Sequence, residues 1–192
     1  RKASGIVINT PYTLVTDAAG LADAAAICAK SDVVAIETEA NSRHRYPERV
    51  CLIQLAVPGT VFIVDTLAIT DMSVLGSMLA DMSVQKTFHG ADYDLRGLHR
   101  DWGFTTVNLF DTYVAARLAG IEQVGLGSLL GEILEVNIPK DSRLQKQDWS
   151  LRPLTEAALG YAASDVVHLK SLRDALESRL IAKGRMSWAE EE

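Results

Sequence analysis

Residues Val33-Val34-Ala35-Ile36-Glu37-Thr38-Glu39-Ala40 constrain the fold of this chain more than any other stretch. The apolar, β-branched opening reads as a buried strand, yet two carboxylates stand near its end. Side chains two apart on a strand project from the same face, separated by about 6.5 to 7 Å along the chain. Glu37 and Glu39 therefore share one face. A buried strand with two acids on one face needs partners for them.

The chain is long enough, at 192 residues, for one well-buried core, and its 48% hydrophobic content is ordinary for a globular domain. A single domain over residues 1–192 is expected. No apolar run approaches the roughly 20 residues a membrane helix needs, and Arg1-Lys2-Ala3-Ser4 lacks the apolar segment of a secretion signal. The chain reads as soluble. Because it starts at Arg1 rather than Met, a processed form or a piece of a longer chain is expected. Cys28 and Cys51 each sit inside an apolar pattern, as small core residues of a reducing compartment do, so the cytoplasm is expected and zinc ligation is not. A net charge of -6 does not advertise nucleic-acid binding. Three local basic clusters gain weight only if a site lies beside them: Arg43-His44-Arg45 with Arg49, Arg96 with His99 and Arg100, and Lys140, Arg143, Lys146 with Arg152.

In chain order, Tyr12 to Val15 reads as a short lead-in strand, and Thr16-Asp17 as the cap of an Ala-rich helix ending near Lys30. The acid-bearing strand follows, then a polar loop from Asn41 to Arg49. A strand over Val50 to Ala56, a Pro58-Gly59 turn and a strand over Val61 to Val64 complete an antiparallel meander. Met72, Leu75, Met78 and Leu79 then mark a helix, Val84 to Phe88 a short strand, and Leu95, Leu98 and Trp102 a helix running from Asp92 and ended by Gly103. Thr106 to Phe110 is a further strand, which makes the sheet mixed. Helices are expected over Asp111 to Leu118, over Leu126 to Leu134, from Pro153 through Tyr161, and through Val166, Leu169, Leu172 and Leu176.

Three places supply acids for a shared site: Glu37 with Glu39, Asp92-Tyr93-Asp94, and Tyr161 with Asp165, which are four apart and so share a helix face. Clustered carboxylates raise one another's pKa unless cations neutralise them. That donor set calls for hard divalent metals, Mg²⁺ or Mn²⁺. Two such ions about 3.5 to 4 Å apart stabilise the attacking and leaving oxygens of an in-line displacement at phosphorus, so phosphodiester hydrolysis is the natural reaction. A Tyr, with a free pKa near 10, is a poor unaided base, and Tyr161 is assigned to positioning the nucleophile.

The chain resembles the ribonuclease D-type 3′–5′ exonucleases, the tyrosine subclass of the DEDD nucleases. The matching residues are Ile36 to Ala40, Cys51 to Leu55, Phe88-His89-Gly90-Ala91-Asp92-Tyr93-Asp94-Leu95, Leu109 to Thr112, Gln147 to Leu154, and Tyr161 with Asp165, within roughly residues 12–180. The resemblance implies an α/β fold, an RNase H-like mixed sheet of five or six strands flanked by helices. It further implies two Mg²⁺ or Mn²⁺ ions and release of nucleoside 5′-monophosphates from single-stranded RNA 3′ ends. Carried over by motif, Glu37, Glu39, Asp94 and Asp165 are the metal ligands and, with Tyr161, the catalytic set. The family pattern has Asp where this chain has Glu37, one methylene or about 1.5 Å longer, in a site whose smaller metal demands near-octahedral geometry. Attenuated activity is therefore one alternative, a nuclease-like module that only binds RNA or a protein another, and a DNA exonuclease a third.

Around this set, Thr38, His89, Lys146 and Arg152 are candidate substrate contacts, although His89 also reads as a structural histidine at a strand end. Asp92 is read as a helix cap, and His168 as a packing residue or a support behind the acids of the site. Gly125-Leu126-Gly127 reads as a helix entrance, and Asp148-Trp149 as an anchor for the chain entering the Pro153 helix. Aromatic content of 6% argues against extensive base stacking and for sequence-independent grip on the backbone.

Overall fold

The computed structural model describes residues 10–138 and 141–191. Expectations placed on Arg1 to Ser4, on Lys140 and on Glu192 lie outside the described residues. Strand β1 (Thr13–Val15) leads into helix α1 (Ala18–Cys28), whose N-cap Asp17 accepts a hydrogen bond from the Gly20 amide at 2.8 Å. Next come β2 (Val33–Ala40), β3 (Val50–Val57) and β4 (Thr60–Asp65), paired antiparallel as the alternation implied. The β3–β4 turn places Gly59 at φ +78°, a left-handed conformation that glycine adopts without strain.

Crossovers build the rest of the sheet. Helix α2 (Ser73–Leu79) carries the chain to β5 (Gln85–Phe88), parallel to β2. Helix α3 (Asp92–Trp102), stopped by Gly103 at φ +69°, carries it to β6 (Leu109–Asp111), parallel to β5. The short β1 pairs in parallel with β4, so the expected five or six strands resolve to six, in the order β1-β4-β3-β2-β5-β6. The acid-bearing strand β2 is internal, between β3 and β5.

Period-two alternation divides the core into two layers. Val34, Ile36, Ile53, Leu55, Phe62 and Val64 face α1, α2 and α3 through Leu21, Leu75 and Leu98. Ala35, Leu52, Ala56 and Ile63 face the second half of the chain: α4 (Thr112–Leu118), α5 (Leu126–Leu134), α7 (Glu156–Val167) and α8 (Leu169–Ala182). A one-turn helix, α6 (Ser142–Gln145), precedes α7, and α9 (Met186–Glu191) follows α8. Among the described residues no helix is long and apolar enough to cross a membrane.

Local expectations fail in four places, each for a physical reason. The strand expected over Thr106 to Phe110 forms only at Leu109–Asp111, the residues that β5 pairs with. Pro153 is not in the first turn of a helix: α7 starts at Glu156, because the Thr155 hydroxyl accepts from the Ala158 amide at 3.1 Å and so defines the N-cap. Val166 does not belong to the last amphipathic helix. It lies in the last turn of α7, which ends at Val167; His168 breaks the helical run, and Val166 and Leu169 are both fully buried. Asp92 is not a cap either; it is the first residue of α3, its carboxylate held by Arg96 one turn on.

Candidate active site

Glu37 and Glu39 leave β2 on the face of Ala35, the face that α7 covers. Tyr161 and Asp165, one turn apart on α7, meet them there, and all four side chains line one cavity of about 450 Å³. The opposite face supplies the fifth residue. Asp94 is buried at the start of α3, where its Oδ1 accepts from the Thr38 amide at 3.1 Å and the Thr38 hydroxyl at 2.5 Å. Thr38 is thereby corrected as a candidate substrate contact: it points to the α3 side of the sheet and orients Asp94.

The electrostatics are those of acids without counter-charge. Burial lifts Glu37 well above the usual carboxylate range, with the charges of Asp94, Asp165, Glu39 and Asp111 adding to it. Glu39 is raised by burial and then by Asp165 and Asp94. Asp94 is pushed up to about 6 by burial, against the pull of its bonds to Thr38, and Asp165 likewise to about 6, with the Tyr161 hydroxyl opposing. Tyr161 is raised by burial and by the Asp165 and Glu39 charges, so it stays a phenol that can donate a hydrogen bond. Trp149, buried to 1% exposure, packs against its ring at a centroid distance of 6.2 Å.

Among the described residues no three His, Cys, Asp or Glu side chains converge as a ready-made ion site. Thr38 occupies one oxygen of Asp94. The donor chemistry nonetheless fits a hard divalent cation: the set is all oxygen, and Glu37 Oε2 is buried with no hydrogen-bond partner. Glu37, Glu39, Asp94 and Asp165 are the residues that could hold such an ion.

The other candidates separate clearly. His89 does line the cavity, with Nδ1 2.9 Å from Thr112 Oγ1. Arg152 is corrected to a structural role. Its guanidinium grips Asp65 at 2.6 and 2.7 Å and also donates to the Trp149, Leu151 and Cys51 carbonyls, so all three of its nitrogens are engaged. Lys146 is exposed but off the cavity wall; its carbonyl faces His44 Nε2 at 2.8 Å and so ties the Asn41 to Arg49 loop to α6. Of the basic clusters, Arg96 pairs with Asp92, Arg100 with Glu48 and Asp101, and Arg143 with Asp141. Arg43 and Arg49 carry no such pairing among the described residues, and Arg45 has only a 3.8 Å contact to Asp148.

Sequence reasoning missed three contributors. Asp111 caps α4 through the Tyr113 amide and accepts from the Gly90 and Ala91 amides, all at 2.8 Å, which fixes the loop in front of Asp94. Its position at the end of a strand with Thr112 next was the available signal. Gln54 is paired with Glu37 by register and fully buried, a proximity invisible without the β2–β3 alignment. The wall made by Gly125, Leu126, Gly127, Ile138, Asp141 and Gln145 comes from segments that only packing brings to β2.

A family model described as "3'-5' exonuclease" matches residues 12–181. Ribonuclease D of Granulibacter bethesdensis is 36% identical over 182 residues, 94% of this chain and 46% of that protein. The chain thus spans about half the length of this relative. The crystal structure of Escherichia coli RNase D, described as an exoribonuclease involved in structured RNA processing, superposes with a TM-score of 0.87 at 30% identity, covering 93% of this chain and 48% of that one. Brucella melitensis NrnC bound to pGG superposes with a TM-score of 0.80 at 31% identity, covering 94% of this chain and 88% of that one, and the same protein has been solved with bound Mg2+.

Proposed function

Because the chain belongs to the 3′–5′ exonuclease family, we propose that it is a metal-dependent exoribonuclease, a single exonuclease domain that releases nucleoside 5′-monophosphates from single-stranded RNA 3′ ends. The observation that carries this reading is the meeting of Glu37, Glu39, Tyr161 and Asp165 on one cavity, with Asp94 near enough that its charge raises both glutamates. Glu37, Glu39, Asp94 and Asp165 would hold two divalent ions, Mg²⁺ or Mn²⁺. When bound, such ions polarise the scissile phosphate and acidify an attacking water. The Tyr161 phenol, fixed by Trp149, orients the nucleophile, and Thr38 keeps the Asp94 carboxylate aimed into the site. We assign the chain to the cytoplasm on its two buried free thiols, Cys28 and Cys51.

The test is incubation with Mn²⁺ and RNA carrying a free or a blocked 3′ end, alongside DNA of the same sequence. Stepwise loss from the free 3′ end alone is the expected result. Equal degradation of free and blocked RNA, or of neither, overturns the reading. A preference for very short RNA is a second reading, favoured by the pGG-bound neighbour, of which this chain covers 88%. A substrate series from two to ten nucleotides separates the two: kcat/KM falling steeply beyond the dinucleotide supports the short-RNA form.

A further inference from the structure

Hydrogen-bond donors around His89 settle which of its nitrogens carries a proton. Thr112 Oγ1 lies 2.9 Å from the Phe88 carbonyl and 2.9 Å from His89 Nδ1. A hydroxyl has one proton, and a carbonyl can only accept, so the Thr112 proton goes to Phe88. The bond to His89 must then be donated by Nδ1–H. Thr112 is fully buried, so the Nδ1 edge of the ring faces the interior, and an edge-to-face contact with Tyr113 at 6.1 Å holds its tilt. His89 lines the cavity, and with Nδ1 engaged by the buried Thr112, Nε2 is the ring nitrogen left for that wall. Nε2 has no partner among the described residues, nor is it one of the fully buried unpartnered atoms. Burial holds the ring's pKa below the ordinary histidine value, so Nε2 presents a lone pair.

An acceptor at this place repels phosphate oxygens and selects a donor. The donors on a nucleotide are its sugar hydroxyls and, depending on the base, ring or exocyclic N–H groups. Only the hydroxyls are present on every RNA residue, and an exonuclease that works along a strand needs a contact independent of the base. We propose that His89 Nε2 accepts a hydrogen bond from a ribose hydroxyl of the 3′-terminal nucleotide, which makes His89 the residue that distinguishes the ribose end in this cavity. The proposal rests on the exonuclease reading of the same site. Thr112 is a positioning residue for it, since its hydroxyl fixes the tautomer.

The test uses one RNA sequence in four versions: unmodified, with a 2′-deoxy terminal nucleotide, with a 3′-deoxy terminal nucleotide, and with the terminal base exchanged. kcat/KM is measured with Mn²⁺, and equilibrium binding of the same oligonucleotides with Ca²⁺, so that a chain that binds without cutting still answers the question. For the wild type, loss of the recognised hydroxyl should lower kcat/KM or affinity about three- to tenfold, the size of one neutral hydrogen bond. Which deoxy substrate shows the loss identifies the 2′- or the 3′-hydroxyl. His89→Phe should abolish that difference, costing the unmodified substrate about three- to tenfold more than the matching deoxy substrate, and His89→Gln, which restores an acceptor, should recover part of it. Two-bond ¹H–¹⁵N spectra should show Nδ1 protonated and Nε2 bare in the wild type, and a mixed state in Thr112→Val. The proposal is overturned if His89→Phe lowers all four substrates equally, if the discrimination follows the base, or if the variant's main loss is in Mn²⁺ affinity read by electron paramagnetic resonance, which would make Nε2 a metal ligand.

Discussion

At the scale of single residues, the site works by holding charge where charge is unfavourable. Burial pushes Asp94 and Asp165 up to about 6 and raises Glu37 and Glu39 well above the usual carboxylate range, so each is an acid poised to lose its proton to a cation. Asp165→Asn, which keeps the shape and removes the charge, should lower kcat by about 10³-fold or more, as loss of several kcal/mol of metal-assisted stabilisation would. Tyr161→Phe should cost about 10²-fold with KM nearly unchanged, the lower end of what a positioned proton donor contributes. Thr38→Val removes one of the two bonds to Asp94 Oδ1. Steady-state assays should find about 10- to 100-fold less activity and weaker Mn²⁺ dependence, and Thr38→Ser should restore both. Glu37→Asp shortens the arm to the length of the family pattern and should raise kcat several-fold; titration of Mn²⁺ by calorimetry should show tighter binding at the same time.

At the scale of elements, two connections between sheet and helices carry the function. The first is the clamp between Arg152 and Asp65, which ties the segment before α7 to the end of β4 and to the Cys51 carbonyl on β3. Asp65 is 6% exposed, so removing its partner strands a carboxylate in the core. Arg152→Met should lower unfolding free energy by about 2 to 3 kcal/mol in urea titrations, below the range for a fully buried pair because Arg152 is partly exposed. The second is the loop from Asn41 to Arg49, tied to α6 through His44 and the Lys146 carbonyl. Its one acid, Glu48, is engaged by Arg100 and Tyr93, which leaves Arg43, Arg45 and Arg49 facing solvent beside a fully exposed Tyr46. A joint Arg43→Glu and Arg45→Glu variant should raise KM for a ten-nucleotide RNA and flatten its salt dependence by about 0.7 per lost phosphate contact, while leaving dinucleotide turnover intact.

At the scale of the whole molecule, the buried acids link stability to pH and to metal. Folding raises the pKa of Asp94 and Asp165 from the ordinary 3.8 to about 6, so between those values the folded chain binds more protons than the unfolded one. Stability conferred on the protonated groups is fully present below about pH 3.8 and is lost as pH rises through about 6, the reverse of a salt-bridged carboxylate. In EDTA the melting temperature should therefore rise as pH is lowered from 7 to 5. At pH 7 a divalent cation at 100 times its Kd should add about 2.7 kcal/mol, a rise of about 5 to 10 °C, and Asp165→Asn should abolish most of that increment.

The same scale separates what the amino-acid order determines from what folding adds. Local periodicity and turn chemistry were sufficient for the β2–β3–β4 meander, for α3 with its Gly103 stop and for α5 to the residue, because these depend on neighbours within a turn or a strand pair. The acids of the site were legible too, since Glu37 with Glu39 and Tyr161 with Asp165 follow the periods of their own elements. Which groups face which was not. Thr38 is turned to Asp94 by the strand's alternation against a helix 56 residues away, and Arg152 is claimed by Asp65 at a separation of 87. The pairing of Gln54 with Glu37, the bond from Asp111 to the Gly90 and Ala91 amides, and the proton on His89 Nδ1 likewise depend on atoms distant in the chain. Hydrogen bonds in a buried site are satisfied by whatever donor packing brings within about 3 Å, and no local rule in the chain encodes that distance.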